Sequence, residues 1–394
     1  MRKKIGFVGG GQLCRMIGED IRSKNLPFEL IALDPTPKCP AYPFLSEQII
    51  GGFKDENKIR ELAEKSDILT YEIELANSKI LDELQKNKPV HPSPETLKII
   101  QDKYIQASFL KNNNIPVPDF MKICDETDLI EAINTFGLPL MIKARIDSYD
   151  GRGNFVLIEK GQIEGIIEMF KERSLMAQKY IHYDAEISVI ATRNIKGEIS
   201  TFPVGENIHG KDYNILRTTI VPARIKPDLE VKAKQVAEIT MNTLKGAGVF
   251  GIEMLVKGED ILINEIAPRV HNSGHYTIEA CETSQFEQHL RAIAGMDLGD
   301  TRLNSIAIMH NIIGEKNYGG GYNISYLSKD ITGVCEIEEG IYVHNYGKHE
   351  VKPYRKIGHI TLLGGKKESM EELTIRAFSI KDLVKILPNN KLVE

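Results

Sequence analysis

The stretch "NEIAPRVHNSGHYT" at 264–277 sets Glu265, Arg269, His271, Asn272 and Ser273 close together, immediately after the apolar run "ILI". An acid on a strand followed by a guanidinium, an imidazole and two small polar side chains suits an anion held near a metal. Arg presents a planar fork that matches carboxylate or phosphate. His271 and His275 have H-x-x-x-H spacing, but the glycine, serine and asparagine between them oppose the helix a zinc site of that kind needs, and a third ligand is missing. A second acid, Glu253, lies in the apolar run "GVFGIEMLVKG", which "KGED" joins to the strand carrying Glu265. With a three-residue hairpin loop at 258–260, Glu253 faces Glu265 on one side of the sheet; a register one residue off sets Asn264 against Glu253 instead. Opposed carboxylates repel unless a cation or a shared proton lies between them. Mg2+ held by carboxylates and substrate phosphates resolves the conflict, with Asn264 near enough to be a third ligand.

Three further segments carry chemistry of their own. "GGGQLC" at 9–14 follows a strand and opens a helix, where backbone N–H groups favour an anion; a tight strand-to-helix turn explains the glycines equally well. A dinucleotide fingerprint wants glycine where Cys14 stands, so a nicotinamide dehydrogenase rests on this turn and Asp34 alone. "RIDSYDGRGN" at 145–154, with Lys143 on the strand before it, can fold over phosphates or be a plain hairpin turn, the commoner use of such residues. The basic group Arg355, Lys356 and His359, with Lys348 just upstream, makes a second anion pocket or a charged turn. No GxxxxGK[ST] sequence occurs.

These residues need a scaffold, and the 394-residue chain is long enough for two or three domains. Its 42% hydrophobic and 27% charged content is that of a globular protein with a sizeable core. No apolar stretch approaches the ~20 residues of a membrane helix. A net charge of -5, without a dense basic tract, gives no footprint for nucleic acid. Five scattered cysteines, Cys14, Cys39, Cys124, Cys281 and Cys335, indicate neither a disulfide framework nor a metal knuckle, and fit the reducing cytoplasm. "MRKKIGFVGGGQL" lacks the apolar core of an export signal.

Strand, glycine turn, helix and strand from "KKIGFVGG" to "FELIALD" form a βαβ unit, and alternation continues to "KPVHPSPE". A parallel sheet covered by helices is expected for residues 1–100. Beyond it, Ile100, Tyr104, Ala107 and Leu110 make one helical face. Short strands follow, then a helix near 228–245 and the acid-bearing pair of strands. From about 300 the chain reads as glycine-rich β structure closing on a helix striped by Met370, Leu373, Ala377, Ile380 and Leu383.

In order, "GGGQL", "LDP" with "CPA", "YEIE", "HPSPETL", "QDK", "SYDGRGN", "NEIAPR", "HNSGHYT", "TSQFEQHLRAI" and "RKIGHIT" resemble the N5-carboxyaminoimidazole ribonucleotide synthetases, ATP-grasp enzymes of purine biosynthesis. The likeness runs from residue 5 to about 362. It implies an α/β and α+β protein: an N-terminal Rossmann-like pre-ATP-grasp domain (1–100), a two-lobed ATP-grasp domain (101–299) and a small β-rich C-terminal domain (300–394). It also implies a homodimer, with ATP and Mg2+ required. The implied reaction joins aminoimidazole ribonucleotide to bicarbonate through carboxyphosphate, releasing ADP and phosphate.

For ATP, the resemblance assigns Lys103 and Lys143 to the phosphates, under a closing loop of Ser148, Tyr149, Asp150, Gly151, Arg152, Gly153 and Asn154. Gln178, Lys179, Tyr180 and Ile181 would meet the adenine, Glu186 the ribose, and His209 would lie nearby. Glu253 and Glu265 would hold Mg2+, as the hairpin argument has it, with Asn264 alongside. Catalysis would fall to Tyr149, Asp150, Arg152, Arg269 and His271. Gln12, Leu13, Glu72, Asn272 and Ser273 would bind the ribonucleotide and bicarbonate, and Lys348, Arg355 and Lys356 the 5'-phosphate. The sequence departs from the family pattern at Cys14, at Ile146, Asp147 and Ser148 before Tyr149, at Gln178 and at Val270, and none of these removes a proposed catalytic group. Two relatives by fold are a formate-dependent glycinamide ribonucleotide transformylase-like enzyme and a biotin carboxylase-like enzyme. The first differs from "HNSGHYT" after the acid-bearing strand, and the second needs a longer chain. A nucleotide-regulated binding protein without turnover would require that Glu253 and Glu265 share no metal.

Overall fold

The computed structural model describes residues 2–147, 153–169, 171, 173–210, 215–327 and 329–388. The chain opens with β1 (Lys3–Val8), α1 (Gln12–Ser23), β2 (Phe28–Asp34), β3 (Leu45–Ile50), α2 (Glu56–Lys65) and β4 (Ile68–Tyr71). The four strands form a parallel sheet in the order β3-β2-β1-β4. Both faces are covered, which is why these strands read as apolar runs without polar alternation. Ile5, Phe7 and Leu30 share a core with Met16 and Ile17 of α1. Ile31 and Leu33 point the other way, to Ile59 and Leu62 of α2.

Two more helices, α3 (Ser78–Leu84) and α4 (Pro94–Gln101), lead to α5 (Lys103–Asn112). The sequence reads α4 and α5 as one helical face, and the structure breaks them at Asp102. That residue leaves helical geometry and caps α5, its carboxylate accepting from the N–H groups of Tyr104 and Ile105. The break puts Lys103 at the head of a helix, turned toward the cleft. A four-stranded antiparallel sheet, ordered β5-β8-β6-β7, follows from β5 (Phe120–Ile123), β6 (Leu140–Ala144), β7 (Asn154–Leu157) and β8 (Leu175–Lys179). The helices α6 (Glu126–Phe136) and α7 (Ile163–Met169) complete its core, in which Leu129 and Ala132 meet Ile142 and Ala177.

The largest sheet has ten strands. It comprises β9 (Ala185–Arg193), β10 (Ile199–Thr201), β11 (Gly205–His209), β12 (Leu216–Val221), β13 (Gly248–Lys257), β14 (Asp260–Ala267), β15 (Ala307–Ile313), β18 (Val334–Glu338), β19 (Ile341–Asn345) and β20 (Lys356–Leu363). Its path is β14-β13-β9-β11-β12-β15-β20-β19-β18, with β10 beside β9. Because β12 pairs with β15, hydrogen bonding continues across residue 300 without a seam. The 228–245 helix appears as α8 (Pro227–Leu244), whose Ala233, Ala237 and Met241 pack on Val189 and Ile252. The short α9 (Thr277–Ala280) and α10 (Gln285–Ala294) follow the acid-bearing hairpin.

A small sheet ordered β17-β16-β21 finishes the fold, from β16 (Tyr322–Tyr326), β17 (Lys329–Ile331) and β21 (Val384–Pro388), with α11 (Met370–Lys381) between them. Leu373, Ala377 and Ile380 form its buried stripe as expected, whereas Leu383 lies past the helix end. The sequence reading closes the chain on that helix and misses β21. That strand is short and mostly exposed, so it lacks the apolar run by which the others show themselves.

Candidate active site

The hairpin of β13 and β14 does set Glu253 directly opposite Glu265, by a route other than the expected one. Lys257 pairs with Asp260, so the loop is the two residues Gly258 and Glu259, not the three at 258–260. That register alone would put Asn264 against Glu253. A β-bulge between Glu253 and Met254 leaves Asn264 unpaired and restores the carboxylate pair. One inserted residue thus aims three polar side chains into the cleft.

Cations meet these acids from neighbouring elements. Lys103 at the start of α5 lies 2.6 Å from Glu265. Lys143 on β6 donates to Asn264 Oδ1 at 3.0 Å, which occupies the oxygen foreseen as a third metal ligand. His271 Nε2 stands 3.7 Å from Glu253. Burial works to raise the Glu265 pKa, but Lys103, then Lys143 and Arg269, outweigh it and hold the carboxyl below its usual range. Lys143 is 5% exposed, and its pKa falls to about 8, first from burial and then from Lys103, against the pull of the nearby carboxylates. Glu186 on β9 is buried and pushed well up, first by burial and then by Glu253. His209 on β11 lies 3.6 Å from it, and burial, then Lys356, brings the imidazole down to about 4. A cavity of about 10 Å³, room for one water, is bounded by Lys103, Lys143, Gln178 and Asn264.

Beyond the strand, Arg269 forms an ion pair with Glu74 at 2.9 Å. His271 Nδ1 lies 2.9 Å from the buried hydroxyl of Ser273. Asn272 is tied to Asn311 of β15 through reciprocal side-chain amide bonds of 2.9 and 2.7 Å. His275 turns into the core and is fully buried, its Nδ1 3.2 Å from the side-chain amide nitrogen of Gln285. At the glycine turn, Glu72 accepts from the N–H of Gly11 and, at 2.8 Å, from that of Cys14. Asp34 accepts from Gly10 at 3.0 Å and from Thr36 at 2.8 Å. The protein's own carboxylates therefore fill the anion-binding turn, which removes the two features on which a nicotinamide dehydrogenase rested.

A solved N5-carboxyaminoimidazole ribonucleotide synthetase from Thermotoga maritima is 39% identical, with a TM-score of 0.85 over 98% of this chain and 100% of that one. The synthase of that name from Bacillus subtilis is 35% identical over 360 residues, 91% of each chain. The chain belongs to the N5-carboxyaminoimidazole ribonucleotide synthetase family. Family models match in the same order: a ribonucleotide synthetase preATP-grasp domain at 1–101, an ATP-grasp domain at 108–286 and a phosphoribosylaminoimidazole carboxylase C-terminal domain at 307–373. A synthase from Aspergillus clavatus, solved with ADP and 5-aminoimidazole ribonucleotide, is 30% identical, with a TM-score of 0.85 over 97% of this chain and 98% of that one. The expected α/β and α+β architecture, ATP-grasp with an N-terminal pre-ATP-grasp domain, is that of this family.

Several residues expected at a synthetase site meet around one cleft: Lys103, Lys143, Glu186, His209, Glu253, Asn264, Glu265, Arg269 and His271. Ser148, Tyr149, Asp150, Gly151 and Arg152 lie outside the described residues; Gly153 follows with φ at 93°, and Asn154 pairs with Lys143. Lys179, Tyr180 and Ile181 lie at the exit of β8, on the connection between the two lobes' sheets. On the far side, Lys348 donates to Gln12 Oε1 at 2.6 Å and to the carbonyl of Lys356 at 2.5 Å, and Arg355 donates to the carbonyl of Glu350 at 3.2 Å. Leu13 packs its side chain into the apolar core, which leaves its backbone to face the glycine turn. The sequence reading missed Glu74 and the Asp102–Arg145 pair, in which Arg145 grips both carboxylate oxygens and ties the end of β6 to the start of α5. Asp102 just before an apolar helical face was a readable cap signal; Glu74 had none, since it pairs with a residue far along the chain.

Proposed function

We propose that this protein carboxylates aminoimidazole ribonucleotide with bicarbonate at the expense of ATP, giving N5-carboxyaminoimidazole ribonucleotide, ADP and phosphate. The observation that carries this reading is the Glu253–Glu265 pair beside Lys103 and Lys143, opening toward the corner of Arg269 and His271. The donor chemistry fits Mg2+. Both carboxylates are hard oxygen ligands, with side chains 18% and 38% exposed, and among the described residues no third His, Cys, Asp or Glu closes a cage around them. Mg2+ typically takes one or two carboxylates plus waters and substrate phosphates. Bound there, it would neutralise phosphate charge during phosphoryl transfer.

The chain's own residues supply the rest. Lys103 and Lys143 can exchange their contacts with Glu265 and Asn264 for ATP phosphates, while Glu186 offers a carboxyl group to ribose hydroxyls. Bicarbonate is a poor electrophile until phosphorylated, and the resulting carboxyphosphate must meet the exocyclic amine before water does. Arg269 and His271 are placed to hold such an anion, so positioning and charge neutralisation do most of the work. Lys348, Arg355 and Lys356 would seat the 5'-phosphate, with Gln12 accepting from Lys348 beside them. The Aspergillus clavatus complex with ADP and aminoimidazole ribonucleotide supports the substrate pair. We further take 1–100, 101–299 and 300–394 as working domains of a cytoplasmic homodimer; no helix among the described residues is long and apolar enough to cross a membrane. ADP release that requires both bicarbonate and aminoimidazole ribonucleotide is the direct test, and release only with glycinamide ribonucleotide and formate would move the protein to the transformylase branch.

Two consequences can be measured on the same assay. Lys143 in the free protein loses its charge as the pH rises through about 8, below the range of an ordinary lysine. The apparent KM for ATP should therefore climb above about pH 8, and Lys143→Arg, charged throughout, should flatten that rise; a KM for ATP independent of pH in the wild type would contradict the phosphate contact. Arg355→Ala should raise the KM for the ribonucleotide on the order of tenfold or more while leaving that for ATP nearly unchanged. Equal effects on both substrates would remove Arg355 from the 5'-phosphate pocket.

A further inference from the structure

His271 is held by a residue outside the cleft. Gln285, the first residue of α10, is completely buried. Its side-chain amide spans the backbone of His271: Oε1 accepts from the His271 N–H at 2.8 Å, and Nε2 donates to the His271 carbonyl at 2.7 Å. The same Nε2 lies 3.2 Å from His275 Nδ1. Its own backbone N–H donates to Thr277 Oγ1 at 2.9 Å, which ties the helix start to the same turn. Gly274 leaves the necessary room, since a Cβ there would stand 2.7 Å from Gln285 Oε1.

The orientation of this amide is also determined. An amide that faced the other way would present oxygen to the His271 carbonyl and nitrogen to its N–H, losing both bonds. His275 adds a second acceptor on the nitrogen side. Burial, and after it the charge of His344, keeps its ring neutral, so Nδ1 can accept. Burial works to lower the His344 pKa, but Glu279, 2.6 Å away, outweighs it and raises it; the ring stacks at 4.1 Å on His359, whose ring lies 4.9 Å from that of His275.

We propose that Gln285 is a positioning residue for His271: its amide fixes the backbone of the corner, and through it the imidazole between Glu253 and Ser273. This rests on the placing of His271 in the active site. The test is a double-substitution cycle on the full-length protein, with Gln285→Leu and His271→Ala, read as ADP release dependent on aminoimidazole ribonucleotide. Gln285→Leu should lower kcat about tenfold or more while the KM for ATP stays within about twofold, and it should cost nothing further in the His271→Ala background. Losses that multiply in the double variant, or no loss in the single one, would overturn the proposal. Should the leucine variant fail to fold, Gln285→Met keeps the length and flexibility of the side chain but removes the donor to the His271 carbonyl, and the same non-additivity is expected. If the wild type shows no such ADP release, the functional reading fails. The nitrogen resonances of His271 in 15N-histidine-labelled protein then decide the structural part: they should shift in either Gln285 variant, and unchanged resonances would overturn it.

Discussion

Glu265→Gln is expected to lower Mg-ATP turnover on the order of 10³-fold or more while leaving the protein folded. The amide keeps the shape and can still accept from Lys103, which now lies 2.6 Å from the carboxylate. It cannot supply the negative charge that, with Glu253, would hold the metal. The fold should survive because the pair sits at the cleft, and a thermal transition close to wild type would show it. The variant should also lose less stability in acid. Burial raises the Glu265 pKa but its cationic neighbours lower it further, so its ionised form stabilises the native state above the ordinary carboxylate range. That contribution disappears as the pH falls below it. Normal turnover in Glu265→Gln would end the metal assignment.

Gly251→Ala tests the corner from the opposite side. Gly251 lies on β13, two residues before Glu253, and a Cβ there would come within 2.4 Å of His271 Cβ and 2.5 Å of its Cγ. Neither atom belongs to the free end of a flexible chain, so His271 or the strand must move. Overpacking of this kind costs about 1–3 kcal/mol. A displacement of about 1 Å at a reacting centre can cost about 10²-fold in rate. The substitution should therefore cut turnover far more than it lowers the melting temperature, with ATP binding largely retained. Turnover close to wild type would mean that His271 takes no part in the reaction.

How much of this was legible in the sequence follows from the range of each interaction. The βαβ opening, α8 and the acid-bearing strands show themselves through apolar periodicity, a local property. The Glu253–Glu265 pairing was readable as one of two registers, yet its actual cause, a tight two-residue loop corrected by a bulge at Asn264, leaves no local mark. The Asp102 break between α4 and α5 was missed because the apolar face runs on through it, although the cap itself is local; the pair with Arg145 joins residues 43 positions apart and leaves no local mark. Glu72 illustrates the converse. The glycine turn reads equally as an anion-binding place or a plain turn, and the sequence alone could not show that the protein's own Glu72 accepts from its N–H groups. Gln285 was hidden for the same reason: its partners are backbone atoms, which no residue pattern reveals.

The central claim is that carbon from bicarbonate ends on the exocyclic nitrogen of aminoimidazole ribonucleotide as ATP is spent. Carbon-13 NMR of a reaction containing labelled bicarbonate, Mg-ATP and the ribonucleotide, followed alongside ADP, tests it directly. The account predicts one labelled carbamate carbon on that nitrogen for each ADP formed. ADP without labelled product, or no ADP until glycinamide ribonucleotide and formate replace these substrates, would contradict it.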